Sequence, residues 1–263
     1  MSHILTLVNQ KGGVGKTTTA INISAYLGLY GKKVLLIDLD PQANATSSLG
    51  INKYEVKCGT YEILIGSEPI MPHILLNPKL KISLLPSSPA LAGAEVELIN
   101  FERREFRMRE AIKPVLERYD YIIIDCPPSL SLLTVNGLIA ARDGVLIPVQ
   151  CEYLALEGIG QLTQTLNLVR ANLFPELRIR GVILTMFDSR TNLSADVVSE
   201  VRKFFPNLVY DTIIPRSVRL AEAPSYGLPI SSYAPGSNSA KAYAALTREI
   251  LNQDGESIPP PLE

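Results

Sequence analysis

Gln10-Lys11-Gly12-Gly13-Val14-Gly15-Lys16-Thr17-Thr18 is the stretch that decides how this chain of 263 residues folds. Before it runs Ile4-Leu5-Thr6-Leu7-Val8, an apolar segment with the length of a buried strand. After it, the apolar residues of 20–27 return at helical spacing. Strand, glycine-rich turn, Gly-Lys-Thr and helix together are the setting of a phosphate-binding loop. Glycines let backbone N–H groups curl around phosphate oxygens, and the helix N-terminus adds its positive dipole end. In that setting Gly12, Gly13, Val14, Gly15 and Thr18 cradle a polyphosphate. Lys16 reaches the β and γ phosphates, and the Thr17 hydroxyl holds Mg2+.

Short apolar runs alternate with helical patterns along most of the remaining chain, the signature of a parallel sheet covered on both faces. Strands are expected at 33–38, 81–85, 121–125, 144–149 and 179–185, with a last one near one edge at 209–214. Helices are expected at 156–172, 193–205 and 239–251. A charged helix at 95–117 carries Arg103, Arg104, Arg107 and Arg109 among acids and reads as a solvated face without a function. The fold class is therefore α/β, three layers around a mostly parallel sheet. Residues 1–252 make one domain, and 253–263, with Pro259-Pro260-Pro261, make a flexible tail.

In open α/β sheets ligands sit at the carboxyl ends of the strands. Two of the expected strands end there in carboxylates, giving Asp38-Leu39-Asp40-Pro41-Gln42 and Asp125-Cys126-Pro127-Pro128-Ser129. An aspartate that closes an apolar strand is costly to bury unless a cation or hydrogen bonds satisfy it. Mg2+ at a nucleotide site is the natural partner of Asp125; simple structural capping is the alternative. Asp40 lies past its strand in a loop, free to move with nucleotide state.

Composition bounds the rest. Apolar residues make up 46% and charged residues 19%, an ordered globular balance. The net charge is −1, and from Cys151 onward 10 Lys and Arg face 12 Asp and Glu, so bulk charge predicts no polyanion partner. Any nucleic-acid surface has to be a local cluster. Three widely spaced cysteines, Cys58, Cys126 and Cys151, form no C-x-x-C and suit reduced thiols rather than a disulfide scaffold or zinc site. No signal-peptide pattern and no run of membrane-span length occur, so a soluble cytoplasmic protein is expected.

The phosphate loop departs from G-x-x-x-x-G-K-[ST] at its head, where Gln10 replaces the first glycine and Lys11 follows. Lys-Gly-Gly-x-Gly-Lys-Thr-Thr resembles the deviant Walker A motif of the ParA/MinD class of ATPases. The likeness extends through Asp38 to Thr46, Asp125 to Leu130, Leu184 to Thr191 and Ile214 to Pro224. With these four segments in order, the chain resembles chromosomal ParA/Soj partitioning ATPases from Lys11 to about Leu251, and hence a P-loop NTPase fold.

That resemblance implies an ATPase that uses ATP and Mg2+ and forms a nucleotide-sandwich homodimer, with Lys11 reaching across to the partner subunit's nucleotide. Lys16 and Asp125 would complete the catalytic set, Thr17 and Asp125 the metal site. Asp40 would position the attacking water, Asp38 through Gln42 would act as one switch, and 125–129 as the other. The loop at Pro215 would recognise adenine. The family often has Asn where Ser217 stands, which shortens the reach of that side chain toward the base. The dimer would bind double-stranded DNA without sequence preference through Arg190, Arg216 and Arg219, be nucleoid-associated, and be triggered by a ParB-type activator. Local loop salt bridges are the competing role for those arginines. A MinD-like membrane ATPase would need a C-terminal basic amphipathic helix, where this chain has Asp254, Glu256, prolines and Glu263. A metabolic ligase or reductase, or a nucleotide-gated module that does not hydrolyse, are the other readings. The lack of an N-terminal helix-turn-helix favours the short chromosomal type.

Overall fold

The computed structural model describes residues 2–66, 68–153 and 155–257, apart from the side chains of 155–157. Seven strands form one sheet: β1 (His3–Leu7), β2 (Val34–Asp38), β3 (Leu75–Asn77), β4 (Ile82–Leu85), β5 (Tyr121–Asp125), β6 (Val145–Gln150) and β7 (Ile179–Thr185). Their order is β3-β4-β2-β5-β1-β6-β7, and all pairings are parallel except β3 with β4. The helices are α1 (Lys16–Leu29), α2 (Asn44–Ser48), α3 (Thr60–Ile65), α4 (Leu91–Glu97), α5 (Arg107–Ala111) and α6 (Leu132–Ala140) in the first half. In the second come α7 (Ala155–Asn172), α8 (Asn192–Phe204), α9 (Val218–Glu222), α10 (Ile230–Tyr233) and α11 (Asn238–Gln253).

The central strands are apolar at every position because both faces of the sheet are covered, and successive side chains point to opposite faces. Leu5, Leu7, Leu36, Tyr121 and Ile123 pack with α1 and α11 on one side. Ile4, Leu35, Ile37, Ile122 and Ile124 pack on the other with α3 to α6, and Val145, Ile147, Val182 and Leu184 there with α6 to α8. Three layers result, as the sequence led us to expect. Leu7 pairs in register with Asp125, and Asp38 with the same residue. Both carboxylate-ended strands thus finish level with the strand that feeds the glycine loop.

Three expectations need correction. Residues 209–214 do not form a strand; bridges at Val209 and Pro215 flank a segment that bows away from β7. The N–H groups of Asp211 and Thr212 donate to the Glu249 carboxylate of α11 instead of to the sheet. The charged helix at 95–117 is broken into α4, α5 and single turns, because Phe101 is extended, Arg103 takes a left-handed φ of 53° and Pro114 lacks an N–H. Its arginines are also less solvated than a free face implies: the Arg107 Nε donates to the Leu64 carbonyl and the Arg104 Nη1 to that of Ile99. Finally, Gln253 belongs to α11, and the segment after it is held by ion pairs of Asp254 with Arg180 and Glu256 with Lys32. The proline-rich part of the expected tail, 258–263, lies outside the described residues.

Candidate functional site

The loop 10–15 rises from β1, and α1 begins at Lys16. Gly13 and Gly15 have φ of 74° and 88°, the left-handed region that side chains avoid, so the sequence needs glycine at both positions. No acid sits in the first turn of α1, so its free N–H groups keep their positive end directed at the cleft. The loop is braced from below. Buried Asn9 donates to the Pro148 carbonyl at 2.7 Å and accepts from the Lys11 N–H at 3.0 Å. The Thr185 hydroxyl donates to the Val14 carbonyl at 2.9 Å.

Lys16 is buried, and its ammonium donates to the Lys11 carbonyl at 3.1 Å. Burial lowers its pKa, while the charges of Asp125 and Asp40 push it back up. Two carboxylates, Asp125 and Asp40, face this lysine, and Asp38 stands behind Asp125. Asp125 is fully buried, and neither of its oxygens has a hydrogen-bond partner among the described residues. Its carboxyl is therefore held well above the usual range, first by burial and then by the neighbouring charge of Asp38. The Thr17 hydroxyl and Lys16 work in the opposite direction. An orphaned buried carboxylate facing a hydroxyl at the head of a phosphate loop fits a hard divalent cation, whose preferred donors are oxygens. Thr17 and Asp125 are the groups that could hold one.

Asp38 differs from Asp125 because its oxygens are occupied. Thr46 donates to it twice, from its N–H at 2.8 Å and its hydroxyl at 2.7 Å, and the Asp40 N–H donates at 3.2 Å. Burial still outweighs these bonds and pushes its carboxyl to about 6. Asp40 lies at the cleft, buried rather than free in solvent. The Gln42 N–H donates to its carboxylate at 2.8 Å, and the Ser87 hydroxyl to its carbonyl at 2.8 Å. Burial raises its pKa, opposed by that N–H and by Lys16 and Lys53. The loop expected to be free is thus tied at both ends in this state.

Two adjoining pockets share Gly15, Thr18 and Met186. One, about 320 Å3, is lined by the glycine loop, Lys16, Thr17, Asp40, Asn44 and Pro128 and suits phosphates. Its neighbour, about 250 Å3, is more apolar and is walled by Ile214, Pro215, Ser217, Leu220 and Tyr243, which suits a flat base. Met186 stands between them with a left-handed φ of 54°, a strained setting that often marks a functional wall. Ser217 accepts a hydrogen bond from the Ser239 hydroxyl at 3.1 Å, leaving its own proton free to donate into the pocket.

Lys11 is half-buried at the loop's head. Its side chain makes no ion pair among the described residues. The expected DNA-facing arginines all have acid partners: Arg190 grips Asp188 with two donors at 2.8 and 2.6 Å, Arg216 pairs with Glu152, and Arg219 with Glu222 at 3.1 Å. Arg190 and Arg216 nonetheless share one surface, since Arg216 donates its N–H to the Phe187 carbonyl and its charge is felt at Asp188.

Residue-type reasoning did not reach Asn9, Thr46, Ser87, Thr185 and Met186. Asn9 and Ser87 offered only a polar residue at the end of an apolar strand, while Thr46, Thr185 and Met186 lay inside the family-like segments without a role attached to them.

A family model described as an AAA domain matches residues 2–179. Chromosome partitioning protein ParA of Myxococcus xanthus is 51% identical over 261 residues, covering 98% of this chain and 91% of that protein. Chromosome-partitioning ATPase Soj of Treponema pallidum is 48% identical over 256 residues, covering 97% of this chain and 100% of the relative. Among solved structures, a cobyrinic acid a,c-diamide synthase from Mycobacterium smegmatis with bound ADP and magnesium superposes with a TM-score of 0.85 at 35% identity. It covers the whole of both chains.

Proposed function

This chain belongs to the ParA/Soj family of chromosome-partitioning ATPases, and from that premise we propose an ATP-driven switch that dimerises around Mg2+ and ATP. In this reading the ATP-bound dimer holds DNA without regard to base sequence, and a ParB-type activator speeds hydrolysis and release. The observation that carries the proposal is Asp125, fully buried beneath a glycine loop, with only the Thr17 hydroxyl and the charge of Lys16 among the described residues to offset its burial.

Each residue then has a task. Gly12, Gly13, Val14, Gly15 and Thr18 present backbone donors and the mouth of α1 to the polyphosphate. Lys16 exchanges the Lys11 carbonyl for the β and γ oxygens, a gain because a charged acceptor replaces a neutral one. Thr17 and Asp125 would hold Mg2+, which when bound supplies charge neutralisation to the phosphates. Asp40, whose raised pKa makes it a better acceptor than an ordinary carboxylate, orients the attacking water and takes up its proton. Pro215 closes on the base and Ser217 donates to it. Lys11, whose side chain makes no ion pair among the described residues, reaches the nucleotide of the second subunit. Positioning and charge neutralisation supply most of what phosphoryl transfer needs.

Arg190, Arg216 and Arg219 form the DNA-facing set. Their acid partners lie at the surface, where an ion pair contributes at most about 1 kcal/mol, so a phosphate can displace a carboxylate at small cost. Dimerisation doubles the cluster, which lets a chain of net charge −1 hold a polyanion. A reading as a cobyrinic acid a,c-diamide synthase has the 35% structural neighbour behind it, against 51 and 48% for the partitioning relatives.

Asp40→Ala tests the assignment. Calorimetry should show ATP affinity within a few-fold of the parent, while turnover falls by roughly a hundredfold or more. Sizing chromatography with ATP should find a persistent dimer. Normal turnover in this variant would remove Asp40 from the mechanism.

A further inference from the structure

We propose that Thr185 is the positioning residue of the phosphate loop, its hydroxyl setting the direction in which the loop's central peptide faces. Thr185 is the last residue of β7, 2% exposed, and its hydroxyl donates to the Val14 carbonyl at 2.9 Å across 171 residues of sequence. It is itself held, because its carbonyl accepts the Cys151 N–H at 2.9 Å and it pairs with Gln150 of β6. Its methyl lies 3.8 Å from where a side chain at Gly15 would begin.

The loop needs such a brace. Val14 sits between Gly13 and Gly15, whose φ values of 74° and 88° lie in a region that glycine enters and leaves at little cost. The peptide joining Val14 to Gly15 rotates through Val14 ψ and Gly15 φ, and glycine resists that rotation little. Because the peptide unit is planar and trans, its carbonyl and the following N–H point in opposite directions. Fixing the Val14 carbonyl on Thr185 therefore turns the Gly15 N–H away from β7. Released, the same peptide can present its carbonyl to the cleft, where it would repel phosphate oxygens. Thr185 also lines the base pocket, so its action through Val14 is read from the exchange of the loop together with the affinity, and it contributes no group to the reaction.

Valine and serine divide the side chain cleanly: Thr185→Val keeps the shape and loses the donor, and Thr185→Ser keeps the donor and loses the methyl. ADP affinity by calorimetry should fall roughly tenfold in the valine variant, the effect of one buried hydrogen bond, and stay within about twofold in the serine variant. Hydrogen exchange of the peptide spanning 10–18, measured without nucleotide, should rise in the valine variant alone. If valine does not fold, comparison of Thr185→Ala with Thr185→Ser isolates the same hydroxyl. ADP affinity and loop exchange unchanged in the valine variant, or serine as damaging as valine, would overturn the assignment. A parent protein that binds no nucleotide would defeat the ATPase reading instead, and the exchange measurement would still decide the role of Thr185.

Discussion

Asp38 and Asp125 are paired in register on adjacent strands and are equally buried, yet they are built for different work. Among the described residues only the Thr17 hydroxyl bears on the oxygens of Asp125, while those of Asp38 are spent on Thr46 and Asp40. The occupied carboxyl offers a test that needs no ligand. Burial raises Asp38 from 3.8 to about 6. A carboxyl whose pKa rises on folding adds stability below its unfolded value and loses it as pH climbs through the folded one. Without nucleotide, the protein should thus lose about 2 kcal/mol from this group between pH 4 and 6. The amide of Asp38→Asn does not titrate across that range. Urea unfolding of parent and variant should therefore show the variant's deficit shrinking by that amount as pH rises. A constant difference would show that Asp38 keeps an ordinary pKa.

At the scale of elements, α6 packs onto the end of β5 at a distance that only glycine permits. A side chain at Gly137 would begin 2.4 Å from the Cys126 sulfur and 3.3 Å from a Thr6 methyl, and the Thr6 hydroxyl donates to the Gly137 carbonyl at 2.8 Å. Gly137→Ala should cost about 1–3 kcal/mol by overpacking. Adding Cys126→Ala should recover part of that loss, a coupling of about 0.5–3 kcal/mol in a double-mutant cycle of urea unfolding. Strict additivity would place the strain elsewhere.

Elements also show where sequence reading succeeds. Contiguous signals were legible: β1, the glycine loop and α1 carry their pattern within 27 residues from His3 to Leu29. The apolar runs of β2, β5 and β7 matched their strands to within a residue. Segments whose conformation is decided from a distance were not legible. The apolar run at 209–214 has strand composition, and Tyr210 and Ile214 do donate to β7, but Glu249 claims the N–H groups of Asp211 and Thr212 between them. Helical spacing at 95–117 gave no warning of the left-handed turn at Arg103. Likewise the braces of the site, Asn9 on Pro148 and Thr185 on Val14, span 139 and 171 residues and leave no local trace.

For the whole molecule, the sheet gathers the glycine loop, both carboxylate strands and the base pocket at one end. Arg190 follows β7 in a loop, and Arg216 stands beside the base pocket, so the expected DNA face adjoins the nucleotide. No helix among the described residues is long and apolar enough to cross a membrane. Reversing Arg216 with Arg216→Glu should remove ATP-dependent DNA binding while leaving ATP-driven dimerisation intact, read by sedimentation with and without DNA. Binding should weaken steeply with salt, because phosphate contacts release counterions.

In the proposed cycle ATP, and not ADP, converts this chain into a DNA-binding dimer. Fluorescence anisotropy of a random-sequence duplex, titrated with the Asp40→Ala protein and Mg2+ under ATP, ADP or no nucleotide, tests it most directly. The account predicts saturable binding with ATP alone, independent of duplex sequence. Equal binding under all three conditions, or none with ATP, would contradict it.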